Sequence, residues 1–208
     1  KMNTQILIPR IAGRLLGRLF IVLILLLVAN SSPSLSQTIP PNETCTEVEN
    51  NASPLNPGEV LTRTIKANQR HIFRVSLAPQ QYVHVEVDQK GVDLVVTLLD
   101  PNNALVVERD SPNSKFGPEP VSTVAQSAGT YSVNICADNL QPMGSYELKV
   151  EGPREGGVAD EKRVAAERMF MEGRNARQRP VAITQFKNAA SIFHELGDTQ
   201  EEGYAVSY

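Results

Sequence analysis

The stretch HIFRVSLAPQQYVHVEVDQKGVDLVVTLLD (His71–Asp100) decides the fold. In its first part Phe73, Val75 and Leu77 alternate with Arg74 and Ser76. In its second part Val83, Val85 and Val87 alternate with His84 and Glu86. Period two is the pattern of a strand with one buried face. On this reading His71 and His84 point outward. The third part, LVVTLLD (Leu94–Asp100), is continuously apolar, as expected of a central strand. The DPNN that ends it (Asp100–Asn103) has a proline at a favoured turn position. No segment here is long enough for a helical crossover between parallel strands, which argues against a βαβ fold.

The same rhythm continues on both sides. VLTRTI (Val60–Ile65) precedes it; ALVVERD (104–110), EPVSTVA (Glu119–Ala125), GTYSVNICA (129–137) and GSYELKVE (144–151) follow. Tyr131, Val133 and Ile135 share one face, and so do Tyr146, Leu148 and Val150. Eight short strands separated by turn signals predict an antiparallel β-sandwich over 58–151.

After a Gly/Pro linker at 152–159 the period changes. Ala166, Met169, Phe170 and Gly173 recur at helical spacing, behind Asp160 and Glu161 in a first turn where the helix dipole favours acids. A second helix begins near Pro180, with Ala182, Phe186, Ala189, Ala190 and Phe193 on its face, and Gly197 stops it. Asp198 and Glu201 form a capping pair for a third helix from about Thr199. The class is therefore mainly β plus α, with helices over 160–208 following the sandwich. In isolation these helices expose apolar faces, and only marginal order is expected of them.

In the first 36 residues Lys1, Arg10, Arg14 and Arg18 precede LFIVLILLLVA (Leu19–Ala29), with no acid among them. An apolar run this short, followed by Ser34 and Ser36, reads as a secretory signal ending at residue 36, with an uncleaved anchor as the alternative. Residues 37–57 are an irregular lead-in rich in Pro, Asn, Thr and Ser. The chain is exported on this reading, to periplasm, cell surface or medium. Its two cysteines, Cys45 and Cys136, are then a disulfide candidate, with free thiols as the alternative. Cys136 follows Ile135 and so lies on the outer face, where a bridge would staple the lead-in to the sandwich. With the basic residues in the leader and a formal net charge of −3, the body is acidic, which argues against nucleic-acid binding.

The helical part resembles a tetratricopeptide repeat. Ala182, Phe186 and Ala189 match the second helix of that repeat and Gly173 the small residue of the first, with Phe193 completing the packing set. The departure is an apparent long connection, RNARQRP. The sandwich resembles the bacterial pre-peptidase C-terminal domain through GEVLTRTIKANQRHIFRVSLAPQQYVHVEV, DLVVTLLDPNN, SAGTYSVNI and GSYELKV. Together these resemble the front of bacterial CHAT-domain proteins. The resemblance implies repeats that present a helical surface to a protein partner, and a caspase-like cysteine peptidase domain downstream of them. Fewer than two repeats and no polar cap suggest a fragment of such a protein, the alternative being a short protein whose helices pack back on the sandwich.

No catalytic constellation is legible. A cysteine nucleophile needs an activating histidine, and neither cysteine has one near it in sequence. Asp93, Asp100, Glu108 and Asp110 could meet at one end of the sandwich around calcium, but without an Asp-x-Asp-x-Asp spacing they read as solvated loop charge. No cofactor or metal site is expected, the signal segment is the one expected membrane contact, and the oligomeric state stays open. The expectation is a non-catalytic exported module for protein interaction or positioning. The rival is a secreted carbohydrate-binding or calcium-dependent adhesion module.

Overall fold

A computed structural model describes residue 45 and residues 47–48, 52–138 and 142–208. The signal segment and most of the lead-in lie outside the described residues. The chain forms the expected sandwich followed by helices. The strands are β1 (Glu47–Val48), β2 (Ser53–Pro54), β3 (Val60–Lys66), β4 (Gln69–Leu77), β5 (Gln81–Lys90), β6 (Leu94–Leu99), β7 (Leu105–Arg109), β8 (Phe116–Val124), β9 (Gly129–Ala137) and β10 (Met143–Glu155). The helices are α1 (Val158–Asn175), α2 (Arg179–Glu195) and α3 (Thr199–Val206). One sheet runs β1-β4-β9-β6-β7, with β2 also paired to β4; the other runs β3-β10-β5-β8. All pairings are antiparallel except those of β1 and β2.

The alternating residues meet in one core. Phe73, Val75, Val133 and Ile135 from one sheet pack with Val85, Val87, Tyr146 and Leu148 from the other. Burying side chains of this size contributes ~1.5–3 kcal/mol each before entropy. His71 corrects the reading that placed it outward. It is in phase with Phe73, is buried, and its Nδ1 lies 2.7 Å from the Tyr146 hydroxyl on the facing sheet. A polar ring is tolerated in this core because it has that partner. Cys136 lies beyond the core set and is bonded to Cys45, with a sequence separation of 91.

The segment expected as a linker is largely structured. β10 continues to Glu155, where Arg154 pairs with Tyr82 and Glu155 with Gln81 of β5. Gly156 N–H then donates to the Gln80 carbonyl at 2.9 Å. Arg154 stacks on the Tyr82 ring at 4.6 Å and donates to Asp160 at 2.6 and 2.7 Å. Sheet and first helical turn are thus pinned together. The helix connection is also shorter than RNARQRP suggested, because α1 runs on to Asn175 and leaves residues 176–178 before α2.

Ala166, Phe170, Phe186, Ala189, Phe193 and Ala205 form the helical core, with Ala182 against it. A methyl group on Gly173 would lie 2.9 Å from the Phe186 ring, so this crossing needs glycine. At Gly197, φ is +71°, which lets the chain turn out of α2 at little steric cost.

Candidate functional site: the junction between sandwich and helices

Two edge strands border the open side of the sandwich. β7 ends one sheet and β8 ends the other. Unpaired edges invite pairing with other chains, and proteins blunt them with proline or cover them. Both devices occur here. On β8 the outer-edge phase is read from Ser122, whose N–H turns away from β5 and donates to Glu167 at 2.7 Å. Pro118 and Pro120 occupy the same phase and have no N–H to offer. On β7 the Glu108 N–H points to Met171 Sδ at 3.3 Å. Glu167 and Met171 are one helical turn apart on α1. The helix therefore lies across both edges and caps one N–H on each sheet.

Beneath α1 is a cluster of buried charges. Arg109 of β7 follows Val107 in the inward phase and is fully buried. Its Nε donates to Ser111 Oγ at 2.8 Å, Nη2 donates to Glu201 of α3, and its guanidinium lies 3.7 Å from the Phe170 ring centre. Glu119 of β8 approaches Arg109 at 4.0 Å and accepts from Ser111 N–H at 2.8 Å and from Gln89 Nε2 at 3.0 Å. Glu167 accepts from Ser122 through both oxygens. Arg109 Nη1 and Glu201 Oε1 have no hydrogen-bond partner. At the rim, Arg163 pairs with Asp198 at 2.8 Å.

Burial sets the electrostatics. It pushes Glu119 up to about 8 against the pull of Arg109 and the Ser111 hydrogen bonds. Glu167 rises to about 7, again through burial, against Ser122 and Arg163. Glu201 rises to about 7 by burial despite Arg109. His84 is lowered to about 4 by burial and by Arg163. A low-dielectric site favours neutral carboxyls beyond the one that balances the guanidinium.

Ser122, His84 and Glu167 are residue types of a hydrolase triad, but their order is wrong for one. The His84 Nδ1 and Glu167 Oε1 flank the serine Oγ at 2.8 and 2.7 Å, placing the hydroxyl at the centre. A triad needs the imidazole at the centre and a nucleophile that substrate can reach, whereas Ser122 is fully buried. Cys136 offers no thiol nucleophile, since it is in the disulfide with Cys45. The acidic loop residues Asp93, Asp100, Glu108 and Asp110 do not all meet at one end of the sandwich. Asp100 binds its own turn through Asn102 N and Ala104 N, at the opposite end of β6 from Asp93. Asp93 instead lies near Asp110 and Asp138, and burial followed by those two charges raises it to about 6. Among the described residues no group of three His, Cys, Asp or Glu side chains is placed to hold a metal ion.

A groove of about 640 Å³ opens beside the cluster, between α1 and the sandwich. Leu105, Val106, Val124 and Tyr131 line the sandwich side, and Val164, Ala165, Arg168 and Met171 the helix side.

Sequence reasoning missed the charged cluster. Its signals were present: Arg109 in the apolar phase of a strand, and Glu167 between Ala166 and Phe170 on the helical stripe.

No protein-family model matches the chain. No curated protein matches it either. Among solved structures it is similar to the pre-peptidase C-terminal domain of a collagenase from Bacillus anthracis, at 15% identity and TM-score 0.41, over 49% of this chain and 95% of that one. It is also similar to PliG of Aeromonas hydrophila, a periplasmic inhibitor of g-type lysozyme, at 10% identity and TM-score 0.40, over 50% of this chain and 96% of that one. A third similarity is to the C-terminal CBM6 of the laminarinase LamC from Zobellia galactanivorans, at 16% identity and TM-score 0.25, over 47% and 75%. Among the described residues no helix is long and apolar enough to cross a membrane.

Proposed function

We propose that this chain is a non-catalytic, exported recognition and positioning module. The sandwich fixes the direction of the helical hairpin, and the repeat-like helices take a protein partner. The observation that supports this is the junction. α1 caps edge N–H groups of both sheets through Glu167 and Met171, and α3 reaches back to Arg109 through Glu201. Reorienting the hairpin would break the Arg109–Glu201 pair and uncover the edge N–H groups of Ser122 and Glu108. On the resemblance to CHAT-type tetratricopeptide proteins, the parent carries a caspase-like peptidase domain downstream, an inference from architecture alone.

The test is the mass and activity of the native protein, recovered from source cells with an antibody to the sandwich. A species far above 22.8 kDa that cleaves peptides, beside an inert 208-residue chain, supports the reading. A native species at or below that mass, or hydrolysis by the chain itself, overturns it. The alternative is a calcium-dependent adhesion or carbohydrate-binding module, for which Asp93, with Asp110 and Asp138 raising its carboxyl, is the acidic region to test. Asp110 is also paired with Arg174. A melting temperature raised by calcium and returned by chelation would favour that alternative.

A further inference from the structure

We infer that His84 and Ser122 form a proton relay between the buried Glu167 carboxyl and the polar cavity where α3 begins, and that protonation of the carboxyl switches the His84 ring nitrogen left to the cavity from acceptor to donor. The hydroxyl-centred order that rules out a triad is the order a relay needs. Ser122 Oγ stands 2.7 Å from Glu167 Oε1 and 2.8 Å from His84 Nδ1. A hydroxyl has one proton to donate and two lone pairs to accept with. The Tyr82 hydroxyl donates to one of those lone pairs at 3.4 Å. The proton and the other lone pair fall one each to Glu167 and His84. When Glu167 is ionised, Ser122 O–H donates to Oε1, Nδ1–H donates to Oγ, and Nε2 is a bare acceptor. When Glu167 is protonated, the proton sits on Oε1, because Oε2 accepts the Ser122 N–H at 2.7 Å. Oε1–H then donates to Oγ, Ser122 O–H donates to Nδ1, and Nε2 carries the hydrogen. Both arrangements keep every hydrogen bond, so the switch moves protons and no heavy atoms.

The relay also gives the buried acid a route to solvent. Glu167 and Ser122 are fully buried, whereas His84 is half-buried. His84 lines a cavity of about 140 Å³ together with Glu86, Arg163, Asp198, Gln200 and Glu201. A proton arriving from that cavity binds Nε2. The Nδ1 proton then passes to Oγ as the Ser122 proton passes to Oε1. One N–H bond forms on the ring and one breaks, and the ring ends neutral. The charges around the two ends favour this outcome over an imidazolium facing a carboxylate. At His84, burial and then Arg163 of α1 lower the ring to about 4, against Glu151 of β10, Asp198 and Asp160. At Glu167, burial raises the carboxyl to about 7 with help from Glu201 of α3, against Ser122, Arg163 and Arg109 of β7. A buried unit that takes up one proton is therefore neutral at both ends. The relay goes beyond the recognition role and holds whatever partner the helices take.

The experiment is nitrogen NMR of the full chain with isotope-labelled histidine, which distinguishes the two neutral tautomers from each other and from imidazolium. Spectra are followed from about pH 5 to about pH 9 beside the carboxyl carbon of Glu167. The expected result is a His84 ring that stays neutral but changes tautomer, Nε2–H at the acid end and Nδ1–H at the alkaline end. The change should coincide with the titration of the Glu167 carboxyl. Glu167→Gln keeps a carbonyl for the Ser122 N–H and donates its amide to Oγ, so it should hold His84 as Nε2–H at every pH. The wild-type titration decides whether the ring switches, and the variant assigns the switch to Glu167. Three results overturn the inference: one His84 tautomer across the range, an imidazolium at His84 where the Glu167 carboxyl titrates, or a tautomer change that survives in Glu167→Gln.

Discussion

Acidification from about pH 7 to 5.5 should stabilise this protein. The reason is the buried junction. Glu119, Glu167 and Glu201 surround Arg109, all four almost entirely buried. The nearby charges are already spoken for: Arg163 pairs with Asp198, and Arg174 with Asp110. One carboxylate balances Arg109, so two are in excess and hold protons that the unfolded chain releases. A carboxyl raised from an ordinary 4.5 to about 7 or 8 contributes stability in full below 4.5 and loses it as pH rises through its folded value. His84 opposes this. It is held near 4 in the fold, so below its ordinary value of 6.5 the unfolded chain takes up one proton that the fold refuses. The net is one to two protons between about pH 5.5 and 7, or roughly 1.4–2.7 kcal/mol per pH unit at most. Urea melts followed by helical circular dichroism at closely spaced pH values measure it directly. Glu167→Gln imitates the protonated acid and keeps a carbonyl for the Ser122 N–H, so its slope should be shallower by about one proton, ~1.4 kcal/mol per pH unit. A flat profile in this window, or stability that rises with pH, would refute the charge argument.

Other outcomes test other parts of the molecule. Gly173→Ala gains up to ~1 kcal/mol of helix propensity. Its methyl, however, meets a Phe186 ring held by Phe170 and stacked on Tyr208 at 4.6 Å, so a net loss of ~1–2 kcal/mol is expected in thermal melts. Phe186→Leu should relieve the clash in the double variant, and additive losses would count against it. Breaking the bridge with Cys45→Ser and Cys136→Ser releases a loop of 91 residues and should cost ~3–5 kcal/mol in the chain-entropy model, read by chemical denaturation; an unchanged midpoint would show that the bridge closes no entropy. Pro118→Val with Pro120→Val restores edge N–H groups on β8, and self-association on size-exclusion chromatography is the expected result. A monomeric double variant would mean that α1 alone protects that edge.

The sandwich was legible because its signal is local. Alternation in β4, β5, β9 and β10 assigns an inner face without knowledge of the partner strand, the apolar run of β6 marks a central strand, and Gly, Pro and Asn mark the turns. The stripe of α1 and α2 was readable for the same reason. His71 was misread although its phase with Phe73 was visible, because a polar type outweighed its position. Glu201 was read as half of a capping box. Asp198 does accept from the Glu201 N–H at 3.1 Å, but the Glu201 carboxylate serves Arg109 instead.

The sequence by itself determined the two-sheet class, the helical hairpin and the glycine crossing, all of which follow from periodicity and residue size. Only the tertiary structure decided what joins them. Arg109, Glu119, Glu167 and Glu201 come from two strands and two helices far apart in the chain, and meet only when folded. Periodicity shows that a charge falls on an inner face. It does not show which opposite charge arrives there, because that depends on how α1 crosses the edges of both sheets.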